Sequence, residues 1–174
     1  AMSSEVTIRR EVASCLNSLA LHEVNKLKIA DHDVVIRLVH LAQEPDLEVA
    51  RMSCGALANL AENIETHPKL LAASGGSLTY LNAIGATPDP ELRRELCRFV
   101  CNLAGHETCN AVLISEEIAT TLARSLLFED VHVQRFAALA ATWSLVRERR
   151  RAASVAGSSL SSRLSSANFL SALS

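Results

Sequence analysis

One pattern of residues recurs along the chain at a nearly constant interval, and it restricts the fold more than any other feature. Residues 51–63 read RMSCGALANLAEN, and residues 93–105 read RRELCRFVCNLAG. The same order of apolar and small residues occurs in two further segments, with steps of 41, 43 and 41 residues between copies. The first position of the four copies is occupied by Ile8, Val49, Leu92 and Val133. Because a fixed period of roughly 20–50 residues is typical of stacked structural units, the sequence predicts a repeat protein.

Each copy has the spacing of an amphipathic helix. Residues five, eight and eleven positions after the first are small or apolar, and at about 100° per residue these positions share one helix face. In copy order they are Ala13, Cys54, Cys97 and Ala138, then Leu16, Leu57, Val100 and Ala141, then Leu19, Leu60, Leu103 and Ser144. Hydrophobic residues make up 49% of the chain but aromatic residues only 3%, which favours helices over a β-sandwich or β-barrel. We therefore expect an all-α protein with four long helices.

Two shorter helices are predicted before each of the last three long helices. Their boundaries are 21–30 and 34–42, then 64–73 and 77–84, then 108–115 and 117–127. A unit of about 42 residues with three helices resembles the armadillo repeat. The segments 57–61 and 100–104 match the end of that repeat's third helix, and Gly75-Gly76 matches the turn between its first two helices. The resemblance implies a right-handed α-solenoid of three-helix armadillo-type repeats. HEAT repeats, with two helices per unit, are the nearest alternative.

The period divides the chain into five segments. They are the third helix of a partial repeat (1–20), three armadillo repeats (21–62, 63–105 and 106–147) and a basic, serine-rich end (148–174). That end is either a degenerate half repeat of two helices, with a turn near Gly157, or a flexible tail. An array that begins with a third helix exposes an apolar helix face at its N-terminus. We therefore expect a piece of a longer protein, or end-to-end pairing with a second copy or a partner.

The polar face of the third helices indicates where a partner would bind. In armadillo arrays the third helices line the concave surface, and a helical wheel places positions two, six and ten of each copy opposite the apolar face. Position two is an arginine in all four copies. The residues predicted to line this groove are Arg10, Arg51, Arg94, Arg98, Arg135, Asn59, Asn102 and Trp143. The resemblance implies that Asn59 and Asn102 bond the backbone of an extended peptide, because an amide offers both a donor and an acceptor.

The residues around the two asparagines narrow the expected ligand. Importin-α-like arrays carry a tryptophan one turn before each asparagine, where this chain has Gly55 and Arg98, so a basic nuclear-localisation signal is not expected. The arginine column instead predicts a groove for an acidic or phosphorylated segment of a partner protein, with Trp143 as an apolar anchor. A shift of one residue in the last copy would turn Trp143 into the core. The alternative for the arginines is a solvated face paired with Glu11, Glu48, Glu91 or Glu95.

These residues predict a protein-interaction scaffold or adaptor that binds along its concave groove. The alternative is a structural piece of a larger assembly that contacts partners, or itself, through the exposed ends of the solenoid. No phosphate-binding glycine loop, nucleophilic serine turn or pair of carboxylates on one face is present, so no enzyme activity is expected.

The charge distribution bears on the class of partner. The net charge is −2, which predicts no nucleic-acid binding, and no apolar run is long enough for direct insertion into a membrane. The charge is uneven, because residues 1–146 carry −6 and residues 147–174 carry +4. Within the basic end, residues 149–154 read RRRAAS and resemble the target of a basophilic kinase. Ser154 is therefore a candidate phosphorylation site.

The five cysteines are odd in number and lie in predicted helices. Reduced thiols in the cytoplasm or nucleus are therefore expected rather than disulfides. Cys97, Cys101, His106 and Cys109 are candidate metal ligands, but their spacing fits no common zinc module. Cys97 also occupies a position predicted to be small and buried, which suits a cysteine in an apolar core. We expect neither a metal site nor a cofactor.

Overall fold

The computed structural model of the protein describes residues 4–73, 78, 80–106, 109, 112–113 and 116–171. These residues form α-helices, a short 3-10 helix and turns, and no β-strand occurs among them. In chain order the α-helices are α1 (Ser4–Leu19), α2 (Glu23–Ile29), α3 (His32–Leu41), α4 (Leu47–Leu60), α5 (His67–Ala73), α6 (Tyr80–Gly85), α7 (Pro90–Ala104), α8 (Glu116–Leu126) and α9 (Val131–Ser171). The 3-10 helix, Ile64–Thr66, precedes α5. The prediction of an all-α fold is confirmed.

The four long helices, α1, α4, α7 and α9, pack against one another in chain order. The shorter helices pack against this row, since α2 and α3 contact α4, and α6 and α8 contact α7. The core lies between them and includes the fully buried side chains of Leu57, Leu96, Phe99 and Leu103. Burial of each such side chain contributes about 1.5–3 kcal/mol. Each unit thus packs mainly on its neighbours, as in a solenoid.

Aspartates begin three of the long helices and place them at matching points of the repeat. The carboxylate of Asp46 accepts a hydrogen bond from the Val49 N–H at 3.1 Å, and that of Asp89 accepts one from the Leu92 N–H at 2.7 Å. Asp130 caps α9 in the same way, with 2.9 Å to the Val133 N–H. Each bond satisfies a backbone donor that has no partner within its helix.

The two end helices of the row differ from the middle ones in which positions they bury. In α9 the predicted interior residues Ala138 and Ala141 are exposed and half-buried, whereas Ala137 and Ala140 are fully buried, so this part of the prediction was wrong. The reason is that positions 0, 4, 7 and 11 of a long helix face the preceding long helix, and positions 5 and 8 face the following one. Among the described residues, α9 packs on α7 but has no following long helix, so its second face stays uncovered.

The same rule explains the exposed apolar face of α1, which has no preceding long helix among the described residues. Its positions 0, 4, 7 and 11 are Ile8, Val12, Cys15 and Leu19, and all four are exposed. Ile8 exposes 62% of its surface. The predicted apolar face at the N-terminal end is therefore confirmed.

The C-terminal part of the chain also differs from expectation. The sequence leaves open a half repeat of two helices with a turn near Gly157 or a flexible tail, whereas the structure continues α9 without interruption from Val131 to Ser171. An interior glycine costs a helix only about 1 kcal/mol relative to alanine, so it does not by itself end one. Gly75-Gly76 and most of the helix expected at 108–115 lie outside the described residues. Of the described helices, none combines the length and apolarity needed to cross a bilayer.

Candidate functional site

The predicted arginine column forms a ladder of ion pairs between successive long helices. Three of its four arginines each reach the aspartate that caps the next long helix. The pairs are Arg10–Asp46, Arg51–Asp89 and Arg94–Asp130. Arg10 binds with Nε and Nη2, at 3.0 Å and 2.7 Å from the two oxygens of Asp46, and Arg51 binds Asp89 through the same two nitrogens. Arg94 donates from Nη2 alone, at 2.9 Å from Asp130 Oδ2.

A second carboxylate joins the first two pairs. Arg10 Nη1 lies 2.6 Å from Glu48, and Arg51 Nη1 lies 2.9 Å from Glu91. We call each set a rung of the ladder. Rung one is Arg10, Asp46 and Glu48, and rung two is Arg51, Asp89 and Glu91. Rung three is Arg94 and Asp130, together with His132, which occupies the sequence position that Glu48 and Glu91 have in the other rungs. Pairing with Glu48 and Glu91 was one alternative from the sequence and is confirmed, whereas the cap aspartates were not anticipated as partners.

The ladder keeps the cap aspartates ionised. The hydrogen bond from Arg10 lowers the pKa of Asp46, and that from Arg51 lowers the pKa of Asp89. For Asp130 the largest effect on the pKa is the hydrogen bond from the Val133 backbone, followed by that from Arg94, and both lower it. The fourth arginine, Arg135, is exposed, and no ion pair joins it to any residue that the structure describes.

The two predicted groove asparagines connect neighbouring long helices. Asn59 is 2% exposed, and its Nδ2 donates to the backbone oxygen of Asn17 at 3.3 Å and to the side-chain Oδ1 of Asn17 at 3.0 Å. Its own Oδ1 accepts a hydrogen bond from Arg98 at 2.8 Å. Asn102 Nδ2 donates to the Ala58 carbonyl at 3.0 Å, and among the described residues no donor reaches its Oδ1. Asn17 was missed, because the period aligns Ser18 with Asn59, yet a spacing of 42 residues from Asn17 to Asn59 could have identified it.

Arg98 is the centre of a polar network on the same face. It donates to Glu95 at 2.6 Å and to Glu62 at 3.1 Å, in addition to Asn59. Glu62 in turn lies 2.9 Å from Nζ of Lys26, whose side chain is almost fully buried. The network therefore links α7 through the C-terminal side of α4 to α2.

A cleft of about 320 Å³ opens among these residues. It is lined by residues of α1, α4 and α7, including Asn17, Gly55 and Asn59. A Cβ at position 55 would lie 3.0 Å from Asn17 Oδ1, so the glycine keeps this space open. The charged residues of the lining are Arg51, Arg94, Arg98, Glu91 and Glu95, which give a net charge of +1. Four of the predicted groove residues line this cleft, namely Arg51, Asn59, Arg94 and Arg98. A fifth, Asn102, lies on the same helix as Arg98, outside the cleft lining.

Comparison with known proteins shows what part of this chain, and its fold, are similar to. A family model described as Armadillo/beta-catenin-like repeat matches residues 22–62. Vacuolar protein 8 of Saccharomyces cerevisiae is 29% identical over 73 residues, which cover 42% of this chain and 13% of that protein. The match thus spans only a small part of that relative's length. An engineered protein of known structure, 25% identical, aligns over 82% of this chain and 58% of its own with a TM-score of 0.74.

A designed armadillo repeat protein in complex with the peptide (KR)4 has the same fold, with a TM-score of 0.71 at 23% identity over 82% of this chain and 59% of its own. Residues 22–62 thus match the armadillo repeat family model, and the chain shares the fold of a designed armadillo repeat protein. Its fold is the right-handed α-solenoid that the resemblance implied.

Trp143 lies on the last long helix of the armadillo array and is 47% exposed, so it does not belong to the core. The guanidinium of Arg147 lies 5.9 Å from the centre of its ring. The cation thus covers part of the ring and leaves the remainder accessible. Ser154, the candidate phosphorylation site, is exposed farther along the same helix.

Of the four candidate metal ligands, Cys97 and Cys109 are buried, whereas Cys101 and His106 are half-buried. Cys97 is fully buried, and burial raises the pKa of its thiol. Cys109 Sγ lies 3.6 Å from Nδ1 of His67, whose Nε2 contacts the Ala61 carbonyl at 2.8 Å. Within the described ranges, no group of three potential metal ligands comes together.

Proposed function

We propose that this armadillo array is a scaffold that binds an extended segment of a partner protein along the polar face of α1, α4, α7 and α9. The observation that carries the proposal is the cleft of about 320 Å³ among α1, α4 and α7, which is bordered by amides and guanidinium groups. The designed armadillo repeat protein in complex with (KR)4 supports a peptide as the class of ligand. Protein binding, rather than catalysis, is what a solenoid with this surface is suited to.

We further propose that the bound segment is acidic or phosphorylated. The net charge of +1 in the cleft lining supports this character, as does the unpaired state of Arg135 among the described residues. The basic (KR)4 sequence is therefore not carried over to this chain. Arg94 and Arg135 would offer charge-assisted hydrogen bonds, and the carbonyl end of Asn102 would accept one from the peptide backbone.

The remaining predicted groove residues have a structural role as well. The amide of Asn59 and the guanidinium groups of Arg10 and Arg51 already bind neighbouring repeats. Their contact with a peptide would require an exchange of partners, and so would contact of Arg98, whose nitrogens already bind Glu95, Glu62 and Asn59. We therefore assign the first contacts to Arg94, Arg135, Asn102 and Trp143. A cytoplasmic or nuclear location and modification of Ser154 also stay proposals.

A peptide-array screen followed by affinity measurement tests the function. The affinity of acidic or phosphorylated peptides selected on the wild-type protein is then measured for two variants, Arg135→Glu and Arg37→Glu. Arg37→Glu is the control, because it changes the charge equally at an exposed position of α3. Loss of a charge-assisted bond predicts roughly tenfold to hundredfold weaker binding for the first variant only. Equal binding by all three proteins, or selection of no peptide, would contradict the proposal.

The exposed apolar face of α1 favours a second candidate function, contact through the ends of the array. Ile8, Val12 and Leu19 form a continuous apolar stripe where an internal long helix would be covered by its neighbour. A structural piece of a larger assembly, or a protein that pairs end to end with a second copy, would bury this stripe. Sedimentation velocity over a range of concentrations tests self-association, and a single monomeric species throughout would contradict pairing with a second copy.

A further inference from the structure

We propose that rung three of the ladder is the subsite where the array holds an anionic group, a phosphate or a carboxylate, of the bound segment. The inference rests on the proposed function and specifies where along the groove the negative charge is received. The groups that would hold it are the guanidinium of Arg94, the imidazole of His132 and the guanidinium of Arg135.

The first line of argument is a difference between the rungs. Rungs one and two each place two carboxylates around one arginine, so each carries a net charge of −1. The second carboxylate comes two residues after the cap aspartate, from Glu48 and Glu91. In rung three that position holds His132, and Arg94 keeps Asp130 as its single carboxylate partner among the described residues.

As a consequence, Arg94 has guanidinium N–H donors that no described carboxylate accepts. Arg10 and Arg51 each use Nε, Nη1 and Nη2 for carboxylates. Arg94 uses Nη2 for Asp130, and no acceptor among the described residues binds its Nη1. Its Nε is buried without an acceptor among these residues, so Nη1 and the rest of Nη2 are the donors for a ligand. Its side chain is 35% exposed and lines the cleft, so a ligand can reach the guanidinium group. A guanidinium with unused donors is well suited to an oxyanion, which accepts several charge-assisted hydrogen bonds.

The second line of argument comes from the repeat itself. Arg51, Glu91 and Arg94 line one cleft, so two successive arginines of the column flank the second carboxylate of rung two. Arg94 follows the cap aspartate Asp89 by five residues, and Arg135 follows the next cap aspartate, Asp130, by the same number. By this equivalence, the repeat places Arg94 and Arg135 on either side of His132. Arg51 and Arg94 are balanced by Asp89 and Glu91, which leaves no net charge. The corresponding residues one repeat later are Arg94, Arg135, Asp130 and the uncharged or cationic His132, and the two arginines with Asp130 leave +1.

The substitution that tests the proposal is His132→Glu, which gives rung three the carboxylate that the other rungs have. The probe is inorganic phosphate, titrated at constant ionic strength with chloride as the reference anion, and the readout is the side-chain N–H resonances of the arginines. In the wild-type protein, phosphate is expected to shift the resonances of Arg94 and Arg135 saturably. In His132→Glu the apparent dissociation constant should rise roughly tenfold or more, because a competing carboxylate occupies the donors. The same value in both proteins, or no saturable shift in the wild type, would overturn the proposal.

Glu91→His is the reciprocal variant, because it removes the second carboxylate from rung two. Phosphate should then shift Arg51, which it leaves unaffected in the wild-type protein. Both variants change exposed positions, and circular dichroism checks that each retains its helix content. Absence of any effect at Arg51 in a folded Glu91→His protein would argue that the pattern of carboxylates does not control anion binding.

A further titration identifies the source of the anion. Short glycine–alanine peptides that differ only in a central phosphoserine, glutamate or serine are compared by fluorescence anisotropy on wild type and His132→Glu. Binding of the phosphoserine or glutamate peptide, but not of the serine peptide, supports the subsite and shows which group it takes. If peptides from the array screen bind both proteins equally and phosphate shifts neither arginine, the scaffold function stands and this subsite is refuted. If phosphate behaves as expected but no array peptide binds, the subsite stands and the extended-peptide function is refuted.

Discussion

Asp89 joins two kinds of interaction in one side chain, and its replacement tests how much the ladder contributes to stability. Its Oδ1 accepts the capping hydrogen bond from the Leu92 N–H at 2.7 Å and a bond from Arg51 Nε at 3.0 Å. The carboxylate is only 8% exposed. Loss of a helix cap costs about 1 kcal/mol, and loss of a two-point charge-assisted contact to a partly exposed arginine costs about 1–2 kcal/mol. Asp89→Ala is therefore expected to lower the free energy of unfolding by about 2–3 kcal/mol.

Two controls separate the cap from the ladder. Asp89→Asn retains a good capping residue and removes the negative charge, so a loss of about 1 kcal/mol is expected. Asp31→Ala removes a helix cap, the hydrogen bond from the Asp33 N–H to the Asp31 carboxylate at 3.1 Å, at a position where no described arginine is bound. Its free energy of unfolding should therefore fall by only about 1 kcal/mol. Urea denaturation followed by circular dichroism measures all three variants. Equal losses for Asp89→Ala and Asp31→Ala would refute the stabilising role of the ladder.

The same contact predicts a dependence of stability on pH. Arg51 lowers the pKa of Asp89 in the folded protein, so the carboxylate binds a proton less readily there than in the unfolded chain. The stabilisation is therefore fully present above the unfolded value of about 3.9 and is lost as the pH falls through the lower, folded value. The difference between wild type and Asp89→Ala should decrease across this acidic range. A difference that stays constant there would contradict the assigned cause.

Two further predictions concern the ends of the array. Trp143→Ala should lower the free energy of unfolding by less than about 1 kcal/mol, because the ring is half exposed and its contact with Arg147 is a surface cation–π interaction. If the ring is an anchor, the same variant should bind a selected peptide roughly tenfold or more weakly. Urea denaturation and anisotropy measure the two effects, and a large loss of stability with unchanged binding would assign Trp143 to packing. Ile8→Glu places a charge in the apolar stripe of α1 and should abolish any concentration-dependent association seen by sedimentation, while Arg37→Glu should not. Equal association of both variants would exclude this stripe as the contact.

The order of side chains along the chain was sufficient to predict the repeat and its helices. The steps between Ile8, Val49, Leu92 and Val133 identify the period, and the aspartates before three of the long helices mark where those helices begin. The arginine column was also visible, because position two is the same residue in all four copies. These features follow from the helical period of 3.6 residues and from local capping, which depend on near neighbours in the sequence.

The partners of those side chains were decided by the packing of one repeat on the next. Arg51 and Asp89 are 38 residues apart, and nothing in either local segment predicts that they meet. The donor end of Asn59 turns towards Asn17 because α1 and α4 lie side by side, and Ala138 is exposed because no described long helix follows α9. A helix sequence determines which residues share a face, but the distance and rotation between two helices arise from the whole packed interface. The difference between rung three and the other two rungs therefore became visible only when the tertiary structure showed that Arg10 and Arg51 bind the glutamates at the position where rung three has His132.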